Sequence, residues 1–212
     1  MTHPDPVFTA ALIIAHPRAR SFSGAMADAF ARGVSQAGGQ VVIRDLYRMG
    51  FDPCLHAGEM PDHSGFKPRQ DVLEERRVLA DVDLFAFFYP LWYNAPPAML
   101  KGYVDRVFGM GFAYSPVTHG GNQPLLAGRK LISFTTSGAP QSWVERTGAW
   151  AAMQKHFDEH FAAVTGLETL AHHNIGGIGP GMTAEQVASH QADAEQHGWR
   201  AVQMYGRRDP RH

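Results

Sequence analysis

Three short stretches carry the residue types that could do chemistry. "HPRARSFSG", residues 16–24, sets His16, Arg18, Arg20, Ser21, Phe22 and Ser23 at the start of an amphipathic run. Hydroxyls and unpaired backbone amides at a helix start make an anion seat, because the first-turn amides lack helical partners and the dipole is positive there. A phosphate is the natural guest, although simple N-capping also accounts for Ser21 and Ser23. "PLWYNAPP", residues 90–97, ends an apolar run with Trp92, Tyr93 and Asn94 before Pro96 and Pro97. Prolines stiffen the entry to a helix, and a rigid loop with aromatic faces can hold a planar heteroaromatic ring by stacking and edge hydrogen bonds. An aromatic pair can equally belong to a core or an interface. "TTSGAP", residues 135–140, supplies small hydroxyls and a glycine where backbone must approach a ligand closely.

These stretches need elements to hold them. Apolar runs at 7–16, 40–46, 82–89, 129–136 and 167–175 lack polar alternation, which predicts strands buried on both faces. Helical periodicity fills the gaps at 24–36, 69–80, 97–108, 143–164 and 183–204. Regular strand–helix alternation predicts a parallel sheet covered by helices on both faces through right-handed crossovers. Gly38 and Gly39 close the first helix, and Thr183 with Gln186 makes a capping box for the last. In such a sheet, ligands sit at the carboxyl ends of the strands. The three chemical stretches follow the first, third and fourth strands, so they converge on one edge. Residues 51–68 form a long excursion of the kind that covers a site or forms an interface.

Composition narrows the partners. The 212 residues, 44% hydrophobic and 18% charged, suit one globular domain over 1–212. A formal net charge of −1 speaks against a nucleic acid or an anionic membrane as main partner. The first apolar run is too short to span a bilayer and lacks a targeting pattern, which implies an untargeted cytoplasmic protein without membrane insertion. Neither a Walker loop nor a G-x-G-x-x-G follows the first strand, and "GGIGPG" at 176–181 reads as a turn.

At these residues the sequence resembles the NAD(P)H:quinone oxidoreductase family, the DT-diaphorase-like flavoproteins. The resemblance rests on "IIAHPRARSFSGAM", "RDLYRMGFDP", "YPLWYNAPPAMLKGYVDRVFGMGFAY" and "ISFTTSG". It implies a flavodoxin-like three-layer sandwich with a five-stranded parallel sheet in the order 2-1-3-4-5. Under it, His16, Ser21, Phe22 and Ser23 surround the flavin phosphate and ribityl chain. Pro90, Leu91, Trp92, Tyr93 and Asn94 lie along one edge of the ring, and Thr135, Thr136, Ser137 and Gly138 along another part of its rim. Tyr114 lines a substrate pocket shared between two subunits of a homodimer. The implied reaction is ping-pong: NAD(P)H reduces the flavin, which passes two electrons to a quinone or similar small acceptor. The family's tyrosine–histidine relay is replaced here by Trp143 and Ala149, and its first-loop asparagine by Ser23. An arginine that contacts the adenine half of FAD in some members has no clear match, which leaves FAD and FMN both open. An alternative is a flavin-binding ancillary subunit of an ion-transport partner with little turnover; a one-electron carrier is opposed by the near-neutral charge.

Other residues carry plainer readings. "HFDEH", residues 156–160, matches an inverted zinc-protease pattern, with His156 and His160 one turn apart, but lacks that context and is expected to be a solvated or interface face, with no metal bound. His172 and His173 are expected to be satisfied strand-end histidines near the ligand edge. Cys54, the only cysteine, is expected to be a semi-buried filler, and Lys101 a salt-bridged or snorkelling lysine.

Overall fold

The computed structural model describes residues 7–61, 66–117 and 121–206. Five parallel strands, β1 (Thr9–Ile14), β2 (Gln40–Asp45), β3 (Leu84–Pro90), β6 (Lys130–Thr136) and β7 (Glu168–Ile175), form a sheet in the order β2-β1-β3-β6-β7. Numbered by their place among the parallel strands, this is the expected 2-1-3-4-5. Helices α1 (Phe22–Gln36) and α7 (Ala184–Tyr205) cover one face. The other face packs against α3 (Ala98–Val107) and the segment after β6, with α2 (Gln70–Val78) beside α3. Alternate residues of β3 feed the two cores: Phe85, Phe87 and Tyr89 enter one, and Leu84, Ala86 and Phe88 the other. All seven residues of this central strand are buried, as an unbroken apolar run requires. On the α1 side Phe88 and Phe134 stack at 5.1 Å, and Phe30 meets both edge-on at 5.7 Å.

Three expectations are corrected. β2 has no fully buried residue, and Ile43 is 53% exposed, because a strand with one neighbour at the sheet edge gets only partial cover. The single helix expected at 143–164 is divided into α4 (Gln141–Arg146), α5 (Ala149–Met153), a π-helical turn (Gln154–Glu159) and α6 (His160–Thr165). Gly148, with φ 75°, breaks the run, and the His160 amide donates to the Lys155 carbonyl five residues back. Cys54 is exposed rather than semi-buried. A short antiparallel pair, β4 (Tyr114–Pro116) with β5 (Asn122–Pro124), was not anticipated; three-residue strands carry too little pattern to read.

The excursion after β2 is held from within. Arg106, 2% exposed on α3, donates to both Glu59 carboxylate oxygens at 3.0 Å, to Asp71 at 2.8 and 3.1 Å and to the Asp52 carbonyl at 2.6 Å. Residues 62–65 of the excursion lie outside the described residues. No helix among the described residues is long and apolar enough to cross a membrane.

Candidate functional site

The loop after β1 enters α1 through Ser21. Its side chain caps the helix by accepting from the Gly24 amide at 3.1 Å, so the N-capping reading holds for this residue. No acidic residue occupies the first turn of α1, and Arg18 and Arg20 are exposed beside it. The Phe22 and Ser23 amides belong to the set that finds no partner within a helix. His16 accepts from the Arg18 amide on Nδ1 at 3.0 Å. Burial, with the charges of Arg18 and Arg48, lowers its pKa and keeps it neutral at physiological pH.

The loop after β3 is a tight, reversed turn. Trp92 and Ala95 exchange reciprocal backbone hydrogen bonds of 3.1 Å, and Tyr93 and Asn94 between them have φ values of 52° and 55°. Positive φ at both central positions is the type I′ geometry, normally filled by Asn-Gly; a tyrosine there stores about 1–2 kcal/mol of strain. Tyr93 is fully exposed at 105% and Trp92 is 45% exposed, so neither ring is used by the core. Pro97, buried, is the N-cap of α3.

The loop after β6 turns its side chains inward. Thr135, Thr136 and Ser137 are buried, and only Gly138 of the four is exposed. The three loops are stitched together. Leu91 N donates to Thr136 O at 2.7 Å, the Ser23 and Thr136 hydroxyls lie 3.4 Å apart, and the His16 and Trp92 rings meet at 6.5 Å. The sheet thus brings the sequence-derived residues of all three loops to one edge.

A side-chain network behind the third loop was missed. β7 carries an extra residue opposite Leu131/Ile132, which shifts its register so that His172 pairs with Ser133 and Asn174 with Thr135. His172 therefore points away from α7, into the core beneath the π-helical turn. Its Nδ1 is 2.7 Å from Asp158 Oδ2 and its Nε2 is 3.1 Å from Thr135 Oγ1. Thr135 Oγ1 donates to Asn174 Oδ1 at 3.0 Å, and Asn174 Nδ2 reaches Ser137 at 3.3 Å and Gln141. The available sequence signal was an acid inside an apolar face, Asp158, and polar Thr135, His172 and Asn174 ending otherwise apolar strands. His172 is satisfied, as expected; His173, on the opposite face, leaves a buried Nε2 without a protein partner, contrary to expectation.

The remaining candidates stand apart. Tyr114, on β4, lines clefts whose walls include Arg76, Arg106, Val104 and His160 but no residue of the three loops. Trp143, 43% exposed on α4, and Ala149, first in α5, lack the phenol and imidazole of a relay. Lys101 is ion-paired with Asp105 at 2.6 Å, as expected. His156 and His160 are exposed and separated by the π-helical spacing, while Phe157 and Asp158 turn inward. No metal-binding cluster of three or more His, Cys, Asp or Glu occurs among the described residues.

Comparison with known proteins adds to this geometry. A family described by the flavodoxin-like fold matches residues 9–198. An uncharacterised NAD(P)H oxidoreductase of Haemophilus influenzae is 38% identical over 130 residues, which cover 60% of this chain and 63% of that protein. NAD(P)H dehydrogenase (quinone) 1 of Rattus norvegicus is 32% identical over 147 residues, covering 61% and 54% of the two chains. The chain thus matches less than two thirds of the length of these curated relatives. The solved structure of NAD(P)H:quinone oxidoreductase from Methanothermobacter marburgensis superposes with a TM-score of 0.81 at 29% identity, covering 92% of this chain and 98% of that one.

Proposed function

The chain belongs to the flavodoxin-like family that matches residues 9–198, and on that premise we propose that it is a flavin-dependent NAD(P)H oxidoreductase delivering two electrons to a quinone or similar small acceptor. The observation that carries the reading is the stitched three-loop edge with a strained, fully exposed Tyr93 at its centre. Strain of this kind persists where a ligand gives it a use. The relatives named as NAD(P)H oxidoreductase and quinone dehydrogenase support the same class.

The residues present fit a flavin. The Ser21 hydroxyl and the Phe22 and Ser23 amides offer donors to a phosphate, with Arg18 and Arg20 adding positive charge and no carboxylate in the first turn of α1, while the buried Ser23 side chain faces Thr136. The reversed turn at 92–95 commits its Trp92 and Ala95 groups to each other and leaves the Tyr93 and Asn94 amides available to a ring edge. When bound, the flavin would take a hydride equivalent from NAD(P)H and return two electrons to the acceptor, the two substrates taking turns in ping-pong order. Neutral His16 contributes a hydrogen bond without adding charge. The family resemblance, in which Tyr114 lines a pocket shared between two subunits, supports a homodimer, and the clefts that Tyr114 lines include no residue of the three loops.

The purified protein is expected to be yellow, or to become so on adding FMN or FAD, and its visible absorbance to bleach anaerobically with NADH or NADPH. A protein that takes up neither flavin refutes the proposal; flavin binding without turnover on any quinone moves it to the ancillary-subunit reading.

A further inference from the structure

We propose that His172 and Asp158 form a buried imidazolium–carboxylate pair, neutral overall, whose imidazolium end faces Thr135 beneath the 135–139 loop and gives the reduced cofactor electrostatic support in place of the missing tyrosine–histidine relay. The second half of this statement rests on the flavin reading above; the first half does not.

The argument is one of hydrogen-bond direction. A carboxylate only accepts, so two carboxylates at the ends of a chain fix every donor between them. Glu145 Oε1 accepts from Gln141 Nε2 at 2.8 Å, which turns Gln141 Oε1 toward Asn174. Asn174 must then offer Nδ2 to Gln141, and it also donates to Ser137 Oγ at 3.3 Å, whose own hydrogen goes to Ala139 O at 2.8 Å. The other end of the Asn174 amide, Oδ1, accepts from Thr135 Oγ1 at 3.0 Å. With its one hydrogen given to Asn174 or to the His173 carbonyl at 3.4 Å, Thr135 accepts from His172 Nε2, 3.1 Å away. At the far end an ionised Asp158, its Oδ2 2.7 Å from Nδ1, requires a hydrogen on that nitrogen too, whereas a protonated Asp158 would donate to it. The ion pair is the arrangement proposed: with Asp158 ionised, both ring nitrogens of His172 carry hydrogen.

The surroundings suit a retained charge. The His172 and Asp158 side chains are 1% and 5% exposed, so neither is screened by water. Trp150 of α5 packs edge-on against the imidazole at 4.8 Å, and Tyr89 of β3 at 6.2 Å. Beyond Asp158 and the Tyr89 hydroxyl, the titratable groups near it are His173, whose ring lies on the opposite face against Phe134 and His197, and His190 and Asp193 of α7, which line the same cleft. Among the described residues, Asp158 Oδ1 and Tyr89 Oη have no hydrogen-bond partner, and the imidazole is the ion-pair partner of the carboxylate. The π-helical turn is what aims Asp158 inward, and such turns recur at functional sites. Asp158 thus acts as a positioning residue for His172, and both act through Thr135, Asn174 and Ser137 on the loop that would line the ring.

Two measurements test this, the first on the protein with or without flavin and the second on the flavin-loaded protein. Nitrogen-15 NMR of labelled histidines, with His172 assigned through His172→Gln, is expected to show both ring nitrogens protonated at pH 7.5, and Asp158→Asn to return the ring to a neutral tautomer. A neutral His172 in the unaltered protein overturns the pair. His172→Gln keeps hydrogen-bonding capacity and loses the charge, so the affinity for reduced relative to oxidised flavin is expected to fall on the order of tenfold. That is a lowering of the two-electron potential by about 30 mV. An unchanged ratio overturns the electrostatic role while leaving the ion pair in place. Failure of the protein to take up flavin refutes the proposed function, and the NMR result still decides the pair.

Discussion

Tyr93 holds a left-handed backbone that a non-glycine residue adopts only under constraint. Asparagine tolerates this region better, and in the turn observed it adds no clash. Tyr93→Asn is therefore expected to stabilise the fold by about 1 kcal/mol, raising Tm by about 2–4 °C, while weakening flavin binding because the exposed ring is lost. Thermal unfolding and flavin titration check the two effects together; a variant that is no more stable removes the strain argument. The sequence exposed this residue well: bulky aromatics before two prolines mark a loop that the core does not consume. It could not show the φ values, since nothing in "LWYNAPP" distinguishes a reversed turn from an extended lead into α3. Nor could it show that Thr135 and Thr136 face inward, because that follows from which β6 residues fall on each face at the strand end.

At the scale of elements, α1 and α7 meet so closely that glycines form the seam. A Cβ on Gly33 would lie 1.9 Å from the Glu195 carbonyl oxygen, and one on Gly198 would lie 2.2 Å from the Phe30 carbonyl oxygen. Helix propensity alone favours alanine at such a position by about 1 kcal/mol. Overpacking against rigid backbone outweighs it, so Gly33→Ala is expected to destabilise by about 1–3 kcal/mol, and the sign measured in urea unfolding decides between the two effects. On the other face, Arg106 anchors the excursion to α3. Arg106→Met leaves the buried Glu59 carboxylate without its cation and is expected to cost about 3–5 kcal/mol in the same assay. The strands and most helices were legible because apolar period and length suffice for them, whereas the strand order came only from the family resemblance. The π-helical turn, the β7 bulge and the Arg106 cluster were not, because each depends on pairing between residues far apart in the chain.

For the whole molecule, the histidines set the response to pH. His173 is pushed down to about 4, by burial first and then by the charges of His197 and His172. His197 and His16 are also lowered, burial again being the largest cause. A base whose folded pKa lies below its unfolded value is protonated more readily in the unfolded chain. The stability gained by keeping these rings neutral is complete above about pH 6.5 and is lost as pH falls toward their folded values, about 4 for His173. Glu59 and Asp71 are held low by Arg106, although burial pushes each of them up. Their contribution is present above the ordinary carboxylate range and fails only in stronger acid, below the histidine window. The rings held neutral therefore make Tm decline from about pH 6.5 downward and steepen below about pH 4.5 as the carboxylates protonate. His173→Leu, which removes the most strongly lowered ring, should flatten the first decline and leave the second intact. A Tm that does not move between pH 7 and 5 in the unaltered protein would place the folded-state values of these rings close to ordinary ones and refute the account.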